Sequence, residues 1–296
     1  MRSLYPAPLR PGDTIGLVTP SSPLMPGAIE AGVQFLEKNG FKVKLGNHIY
    51  DSDRFLAGSD IDRTKDLMDF FTDSTVKAII ATRGGQGSQR LLPLLDYDVI
   101  RSHPKILVGF SDTTALQLGL LKKTKLATYT GFTLTVQPNT LIEQTLMACL
   151  SGKSYRITEG IGVCPGIAKG PIVGGNLTLL TTLMGTPFQP EFEGSILLIE
   201  DINIEPYNLD RMFSQLDLAG IFNQVAGIII GQFENSTGKD SNSLEGTVDD
   251  VINEWISHFK VPCIKDFPYG HGAKRCVLPI GKEVILDAGK CTLSIY

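Results

Sequence analysis

The stretch ILVGFSDTTAL, residues 106–116, joins a short apolar run to a segment of helical period through a glycine and a serine. Residues 106–109 predict a buried strand, and residues 113–123 predict a helix that begins just after Ser111. A strand that leads directly into a helix is typical of a βαβ unit, in which the next strand runs parallel to the first. The stretch therefore predicts a parallel sheet with Ser111 at its carboxyl edge, where open α/β sheets hold their sites.

The same alternation extends back through the first half of the chain. Strands are predicted at 14–19, 41–45 and 77–82, and helices at 28–38, 59–71 and 88–95. Ser59, with Asp62 three residues later, resembles a capping box at the start of its helix. We expect residues 1–150 to form an N-terminal α/β domain that carries Ser111.

The second half of the chain has a different pattern. Residues 151–169 are rich in Gly and Ser, lack helical period and predict a linker. Beyond it, residues 170–296 predict a smaller mixed α/β or β-rich domain. Its strands are predicted at 196–200 and 226–231, with short strands in 277–294, and its helix at 208–219 has Leu209, Met212, Phe213 and Leu216 on one apolar face.

Composition excludes several classes of function. The 296 residues include 27 Lys and Arg against 31 Asp and Glu, a net charge of −4 with no basic stripe for nucleic acid or an anionic membrane. No apolar run approaches the ~20 residues of a membrane span, and residues 1–11 lack the apolar centre of a secretory signal, so we expect a cytoplasmic protein. The five Cys form no CxxC pair, which disfavours structural zinc and a disulfide framework.

Ser111 is a candidate nucleophile because a serine at a strand-to-helix turn lies beside the amide groups of the helix N-terminus. The usual elbow pattern is G-x-S-x-G, and here Thr113 occupies the last position. The alternative is that Ser111 or Asp112 only caps the helix.

A glycine-dense turn at residues 82–88, TRGGQGS, also follows a strand. It could cradle a phosphate, although it has neither the G-x-G-x-x-G spacing nor the lysine of a P-loop. A sharper interpretation directs the Gly85 amide towards Ser111 as an oxyanion donor, and the simplest one is an ordinary tight turn.

The base and its orienting acid are sought in the second half of the chain. His271 lies between two glycines after a predicted strand, whereas the other histidines, His48, His103 and His258, lie in loops or helix ends where a solvated imidazole is common. Glu200 closes an apolar run, and Glu205 follows in the loop. The order Ser111, Glu200, His271 is that of several α/β hydrolases, and the residues leave the choice between Glu200 and Glu205 open.

Several blocks of sequence resemble the LD-carboxypeptidases of peptidase family S66. They are RGGQGSQRLLPLLD at 83–96, VGFSDTTAL at 108–116, GGNLTLL at 174–180, LIED followed by PYNLDRM within 198–212, and GHG at 270–272. The blocks cover nearly the whole chain in the family's order.

This resemblance implies an α/β protein with a Rossmann- or flavodoxin-like N-terminal domain built on a parallel sheet and a smaller, swivelling-barrel-like C-terminal domain. It further implies a metal-free and cofactor-free cytoplasmic homodimer. The implied catalytic residues are the nucleophile Ser111, the base His271 and the acid Glu200, with the backbone amides of Gly85 and Asp112 as the oxyanion hole. The implied reaction is removal of the terminal D-Ala from the murein tetrapeptide, after an L-diamino-acid centre, in peptidoglycan recycling.

Two features bear on the substrate. A carboxypeptidase must hold a terminal carboxylate, for which Arg83 is our first candidate and Arg211 our second; solvent-facing ion pairs are the alternative for both. Family members often carry His-Gly-Pro after the nucleophile helix, whereas this chain has Tyr-Thr-Gly-Phe at 129–132, with Thr130 in place of the histidine.

Three other functions remain open. A microcin C7 immunity-type S66 peptidase would cleave an aminoacyl-nucleotide amide. Such proteins tend to carry an added aromatic loop, and the only Trp here, Trp255, falls in a predicted helix. A non-catalytic two-domain small-molecule binding protein would need no nucleophile, and a nucleotide-dependent oxidoreductase lacks its fingerprint here.

Overall fold

The computed structural model describes residues 3–236 and 246–296. Met1 and Arg2, which belong to the stretch considered for a secretory signal, lie outside the described residues. The helices are α1 (Glu30–Lys38), α2 (Asp60–Thr72), α3 (Tyr97–Ser102), α4 (Thr114–Thr124), α5 (Thr140–Ser151), α6 (Leu177–Thr182), α7 (Pro206–Leu218), α8 (Ile221–Gln224) and α9 (Val248–Ile256). The strands are β1 (Thr14–Val18), β2 (Lys42–Leu45), β3 (Val76–Ala81), β4 (Ile106–Gly109), β5 (Thr128–Thr130), β6 (Tyr155–Thr158), β7 (Ile161–Cys164), β8 (Ile167–Asn176), β9 (Ile196–Ile202), β10 (Gly227–Glu234), β11 (Cys263–Lys265), β12 (Leu278–Ile280), β13 (Glu283–Asp287) and β14 (Thr292–Ile295).

The first of two compact units contains a six-stranded sheet in the order β12-β5-β4-β3-β1-β2. Strands β1 to β5 are parallel, and β12 pairs antiparallel with β5. The order 2-1-3-4-5 of the parallel strands is the flavodoxin-like order, so the α/β fold expected for the N-terminal domain is confirmed. Strand β4 is wholly buried, as a parallel strand covered on both faces should be.

Local sequence accounts for where these elements begin. Ser59 caps α2 by accepting a hydrogen bond from the Asp62 amide at 3.1 Å. In a capping box the side chain at the Asp62 position accepts from the backbone amide of the N-cap residue. Here the Asp62 carboxylate accepts from the Ser59 hydroxyl instead, at 2.7 Å. The predicted helix after Ser111 divides into a short 3₁₀ turn, Ser111–Thr113, followed by α4.

The second unit contains an eight-stranded mixed sheet in the order β6-β14-β13-β8-β9-β10-β11-β7. Its four central strands, β8 to β11, are parallel, and antiparallel strands flank them. Strand β8 approaches β9 so closely at Gly174 that a Cβ there would lie 1.9 Å from the Leu198 carbonyl oxygen. A glycine is therefore required where the sheet positions Glu200, two residues further along β9.

The prediction of a linker at 151–169 is wrong. The chain there forms β6, β7 and the start of β8, and the boundary between the two units falls after Lys153. These strands are short, several of their residues face solvent, and Gly160 and Gly166 make the turns with φ of 95° and 140°. Such a pattern resembles an irregular loop because it has few buried apolar positions.

The second unit also differs from the predicted C-terminal domain in its continuity. Residues 185–190 and 276–281 belong to the first unit, and the latter supply its edge strand β12. Residues 170–296 are therefore not one continuous domain. Among the described helices, none combines the length and apolar character needed to cross a bilayer.

Candidate active site

Ser111 lies in a strained turn of the first unit. Its φ is +63°, a left-handed conformation that costs a non-glycine residue about 1–3 kcal/mol and is most common at functional sites. Ser111 is half-buried, and it immediately follows Phe110 and the buried strand β4. A sharp, strained strand-to-helix turn is how a nucleophile elbow exposes its serine, despite the absence of the final glycine here.

The glycine-dense turn predicted to face Ser111 does so. A Cβ on Gly84 would lie 2.9 Å from the Ser111 Cβ and 3.3 Å from its Oγ. Gly85 has φ of +118°, and a Cβ on it would lie 2.3 Å from the Ser22 hydroxyl. Backbone here approaches the serine at a distance that only glycine permits.

Three successive amides at the end of this turn are bonded within the protein. Gln86 N donates to the Ser22 hydroxyl at 3.0 Å, and the amides of Gly87 and Ser88 donate to the carboxylate of Asp112. Within residues 3–236 and 246–296, the exposed Gly85 amide has no acceptor. An N–H group beside a serine and without a protein acceptor is suited to receive a developing oxyanion.

The Asp112 side chain does not cap its own helix. The alternative in which Asp112 serves only as a helix cap is therefore excluded. The carboxylate is fully buried and accepts from the Ser21 hydroxyl at 2.6 Å as well as from the two turn amides. No side-chain cap bond is formed at the start of the 3₁₀ turn or of α4.

The second unit holds the predicted acid and base together. Glu200 is fully buried near the end of β9, and its Oε2 lies 2.8 Å from Nδ1 of His271. Burial raises the pKa of the Glu200 carboxyl, while the hydrogen bond to His271 acts in the opposite direction. The loop that carries His271 lies against β10, since a Cβ on Gly272 would lie 2.2 Å from the Gln232 Oε1.

Asn176 bonds to the predicted acid, and our sequence reasoning did not identify it. Its Nδ2 donates to Glu200 Oε1 at 3.3 Å and to Asp201 Oδ1 at 3.0 Å, while its Oδ1 caps α6 through the Leu179 amide. The block GGNLTLL carried the signal, since an Asn between a strand and a helix is a typical N-cap. Its second role depends on β8 pairing with β9, which the sequence alone does not indicate.

The geometry favours Glu200 over Glu205 as the partner of His271. Glu205 occupies the N-cap position of α7, where its backbone carbonyl accepts from Asn208 and Leu209.

The two candidate arginines lie in different surroundings. Arg83 is half-buried at the glycine turn, and its guanidinium donates to the carbonyls of Pro23 at 2.9 Å and Gly84 at 3.2 Å. Arg211 is exposed on α7 and stacks over the Tyr207 ring at 5.0 Å. Thr130, which replaces the family's histidine, is fully buried at the end of β5.

One group of side chains in the described ranges has the spacing of metal ligands. His48, Asp51 and Asp62 place one ligand atom each within 4.8 Å of one another. His48 Nδ1 already lies 2.8 Å from the Asp51 carboxylate, and the cluster is partly exposed, so an ordinary surface ion-pair group accounts for it.

Comparison with known proteins gives the same family as the sequence blocks. The LD-carboxypeptidase N-terminal domain matches residues 15–131, and the LD-carboxypeptidase C-terminal domain matches residues 169–286. A probable murein peptide carboxypeptidase of Bacillus subtilis (strain 168) is 35% identical over 300 residues, which cover 98% of this chain and 93% of the relative.

Solved structures agree over the whole length. The microcin C7 self-immunity protein MccF, in its wild-type apo state, superposes with a TM-score of 0.89 at 28% identity, covering 99% of this chain and 98% of that one. A muramoyltetrapeptide carboxypeptidase from Oxalobacter formigenes gives 0.85 at 26% identity, covering 95% and 97%. The protein therefore belongs to the LD-carboxypeptidase family, peptidase family S66.

Proposed function

We propose that this protein is a serine LD-carboxypeptidase that acts through an acyl-enzyme on Ser111. The observation that carries the proposal is the left-handed Ser111 turn, packed against Gly84 of a turn in which the next amide, that of Gly85, has no acceptor among the described residues. The buried Glu200–His271 pair supplies the other half of the chemistry. A strained serine, a preorganised donor and an oriented imidazole are the three parts that serine acyl transfer requires.

The proposed reaction has two steps. The Ser111 Oγ attacks the carbonyl carbon of the terminal peptide bond, His271 takes the hydroxyl proton, and the amides of Gly85 and Asp112 stabilise the tetrahedral oxyanion. His271 then donates that proton to the nitrogen of the leaving D-amino acid, leaving an ester on Ser111. Water, deprotonated by His271, hydrolyses the ester and restores the serine. Glu200 holds the imidazole and stabilises its protonated form.

The relatives support a proposal for the substrate class. Proteins named for murein peptide and muramoyltetrapeptide carboxypeptidase activity are similar to this chain over nearly all of its length. We therefore propose the murein tetrapeptide as substrate, with D-Ala released after the L-centre of its diamino acid, and a role in peptidoglycan recycling. The cytoplasmic location and the homodimer implied by the family resemblance stay predictions. Sedimentation of the purified protein tests the homodimer.

Arg83 is the better placed candidate for holding the terminal carboxylate. It lies on the turn that carries Gly85, whereas Arg211 lies on α7 with its guanidinium over Tyr207. Arg83→Gln should raise KM for a peptide with a free carboxyl terminus and change KM little for the same peptide amidated. An unchanged KM for the free acid would reject Arg83 in favour of Arg211.

The deciding experiment measures release of D-Ala from purified murein tetrapeptide, with and without chelator, by the wild type and by Ser111→Ala. We expect release by the wild type, no effect of chelator, and loss by the variant of several orders of magnitude in kcat. A fluorophosphonate should label the wild type once, at Ser111, and a chain that acts only as a binding protein would not be labelled. Activity that survives in Ser111→Ala would reject the proposal.

A second candidate substrate comes from the similarity to MccF. An immunity-type enzyme of this family would cleave the amide of an aminoacyl-nucleotide toxin. The lone Trp255 does not favour it, because this residue lies on α9 with its Nε1 bonded to Asp210 and its ring packed against Phe213 and Phe222. Assaying an aminoacyl-adenylate analogue beside the tetrapeptide separates the two: the larger kcat/KM identifies the substrate.

A further inference from the structure

Three loops of the first unit meet at one buried carboxylate. They follow β1, β3 and β4, whose carboxyl ends lie at the same edge of the parallel sheet. Asp112, immediately after Ser111, is the residue at which they meet. We propose that the side chain of Asp112 is a positioning residue, which fixes the glycine turn so that the Gly85 amide faces the oxygen that develops negative charge on the Ser111 adduct. This inference rests on the proposed function.

The bonds from Asp112 to the glycine turn restrain it at successive residues. Asp112 Oδ1 accepts from Gly87 N at 3.1 Å, and Oδ2 accepts from Ser88 N at 2.8 Å. The Ser88 hydroxyl donates back to the Asp112 carbonyl at 2.6 Å. The backbone that precedes α4 and the backbone of the glycine turn are therefore joined by three hydrogen bonds, all of them buried.

The third loop is joined to the same carboxylate. The Ser21 hydroxyl, which is fully buried, donates to Asp112 Oδ2 at 2.6 Å. The neighbouring Ser22 accepts from the Gln86 amide at 3.0 Å and lies against Gly85. The loop after β1 thus also contacts the glycine turn, at Gly85 and Gln86.

A buried cation holds the carbonyl group of Gly87. The Arg63 side chain is 1% exposed, and its Nη1 donates to the carbonyl oxygens of Gly87, at 3.1 Å, and Pro20. Asp60 pairs with Arg63 and also with Arg90, at 2.7 Å. Gly87 therefore has its N–H held by an anion and its C=O held by a cation, which fixes the orientation of both of its peptide planes.

The consequence for catalysis concerns a single amide. The amides of Gly87 and Ser88 are held by buried, charge-assisted bonds to Asp112, and the amide of Gln86 is held by the Ser22 hydroxyl. A movement of the turn that took the Gly85 amide away from the serine would therefore strain these bonds. An oxyanion donor contributes most when it is oriented before the reaction, since no reorganisation is then needed in the transition state. The Asp112 carboxylate supplies that orientation, while its backbone amide is a separate, proposed donor.

Asp112→Asn is the test, because it keeps the size of the side chain and leaves the backbone amide in place. An asparagine has one acceptor oxygen, so its NH₂ group must face the N–H of Gly87 or Ser88. We expect kcat for D-Ala release to fall about 10- to 100-fold, less than the ~10²–10³ of removing a donor outright, with KM changed less than about threefold. The rate of Ser111 labelling by a fluorophosphonate, whose phosphoryl oxygen takes the oxyanion position, should fall by a similar factor.

Asp66→Asn is a matched control. Asp66 is another buried carboxylate of the first unit, and it accepts two loop amides, Asn47 N at 3.0 Å and His48 N at 2.8 Å. We expect it to lower the melting temperature to a similar degree and to leave kcat and the labelling rate within about twofold of the wild type. Equal losses of kcat and of labelling rate in the two variants would mean that Asp112 is only a structural residue and would overturn the inference.

A second variant keeps the inference testable should Asp112→Asn fail to fold. Ser21→Ala removes one of the hydrogen bonds to the Asp112 carboxylate. It should lower kcat for D-Ala release and the rate of Ser111 labelling about three- to tenfold each, and unchanged rates would contradict the inference. The proposed function fails in a different way, because in that case the wild type itself is not labelled at Ser111 or Ser111→Ala keeps its activity.

Discussion

Oε2 of the fully buried Glu200 lies 2.8 Å from Nδ1 of His271, 71 residues further along the chain. With a proton on Nδ1 facing the carboxylate, the lone pair of the imidazole is on Nε2, which is the atom a general base must present. In the proposed mechanism the pair therefore determines which nitrogen of His271 acts as the base.

Glu200→Gln should lower kcat by about 10²–10⁴-fold with little change in KM, because an amide can present its NH₂ to Nδ1 and select the wrong tautomer. Steady-state kinetics on the tetrapeptide measures this. Glu205→Gln is the control, since Glu205 is only half-buried at the start of α7, and its kcat should stay within about threefold of the wild type. If the larger loss appeared in Glu205→Gln, the assignment of the acid would have to be reversed.

Ser111→Gly should be more stable than Ser111→Ala, although both should be inactive. A left-handed φ of +63° costs alanine about 1 kcal/mol or more that glycine does not incur. Thermal or urea unfolding of the two variants measures the difference directly. Equal stabilities would mean that the turn relaxes once the hydroxyl is removed and that the strain belongs to the serine side chain.

Gly84→Ala should impair catalysis through contact alone. Its φ is not in the left-handed region, but the new Cβ would lie 2.9 Å from the Ser111 Cβ and 3.1 Å from the Phe110 carbonyl oxygen, so the serine turn must shift. We expect at least about a tenfold loss in kcat, since small displacements at a reacting centre are costly. The control is Gly289→Ala, where the nearest atom is 3.5 Å away and kcat should not change.

Lys105 should make the stability of the protein depend on pH in the alkaline range. It is 8% exposed, donates to the carbonyl of Phe70 at 2.6 Å and to that of Asp73, and burial lowers its pKa from 10.5 to about 8. Between these two values the unfolded chain binds a proton that the folded chain does not, so the free energy of unfolding rises with pH.

The comparison with Lys105→Met isolates this effect. As pH increases from about 7 to about 10, the wild type should gain about 1–3 kcal/mol relative to the methionine variant, measured by urea unfolding at each pH. A constant difference across the range would show that the lysine titrates equally in the folded and unfolded states.

Much of the first unit could be predicted from local sequence. Strand β4 ends where the apolar run ends, and α1, α2 and α4 begin within two residues of their expected positions, whereas α3 was not predicted and the helix predicted at 88–95 is a 3₁₀ helix, Ser88–Leu94. The correct elements were predictable because parallel strands and helices leave strong periodic signals. Ser111 was identifiable for the same reason. Its left-handed backbone was not, because a serine with positive φ has no sequence signature and is imposed by the surrounding turns.

The contacts between distant segments were not predictable. Ser21 and Asp112 are 91 residues apart, and neither lies in a pattern that indicates the other. Strands β6 and β7 were missed because they are short and partly exposed, and β12 was assigned to the wrong domain because strand pairing, not proximity in sequence, decides which sheet a segment joins. The pairing of Glu200 with His271 was expected only through the family resemblance.

Strand β12 has a consequence for how the protein is made. The sheet that carries Ser111 begins with residues 14–18 but acquires its edge strand from residues 278–280, after almost all of the second unit. During vectorial synthesis the first unit therefore has an unpaired β5 edge until residues 278–280 have been made. A chaperone that shields this edge would have to remain bound while the intervening part of the second unit is synthesised, and a split gene that separated residues 1–153 from the rest would deliver a first unit that lacks its own last strand.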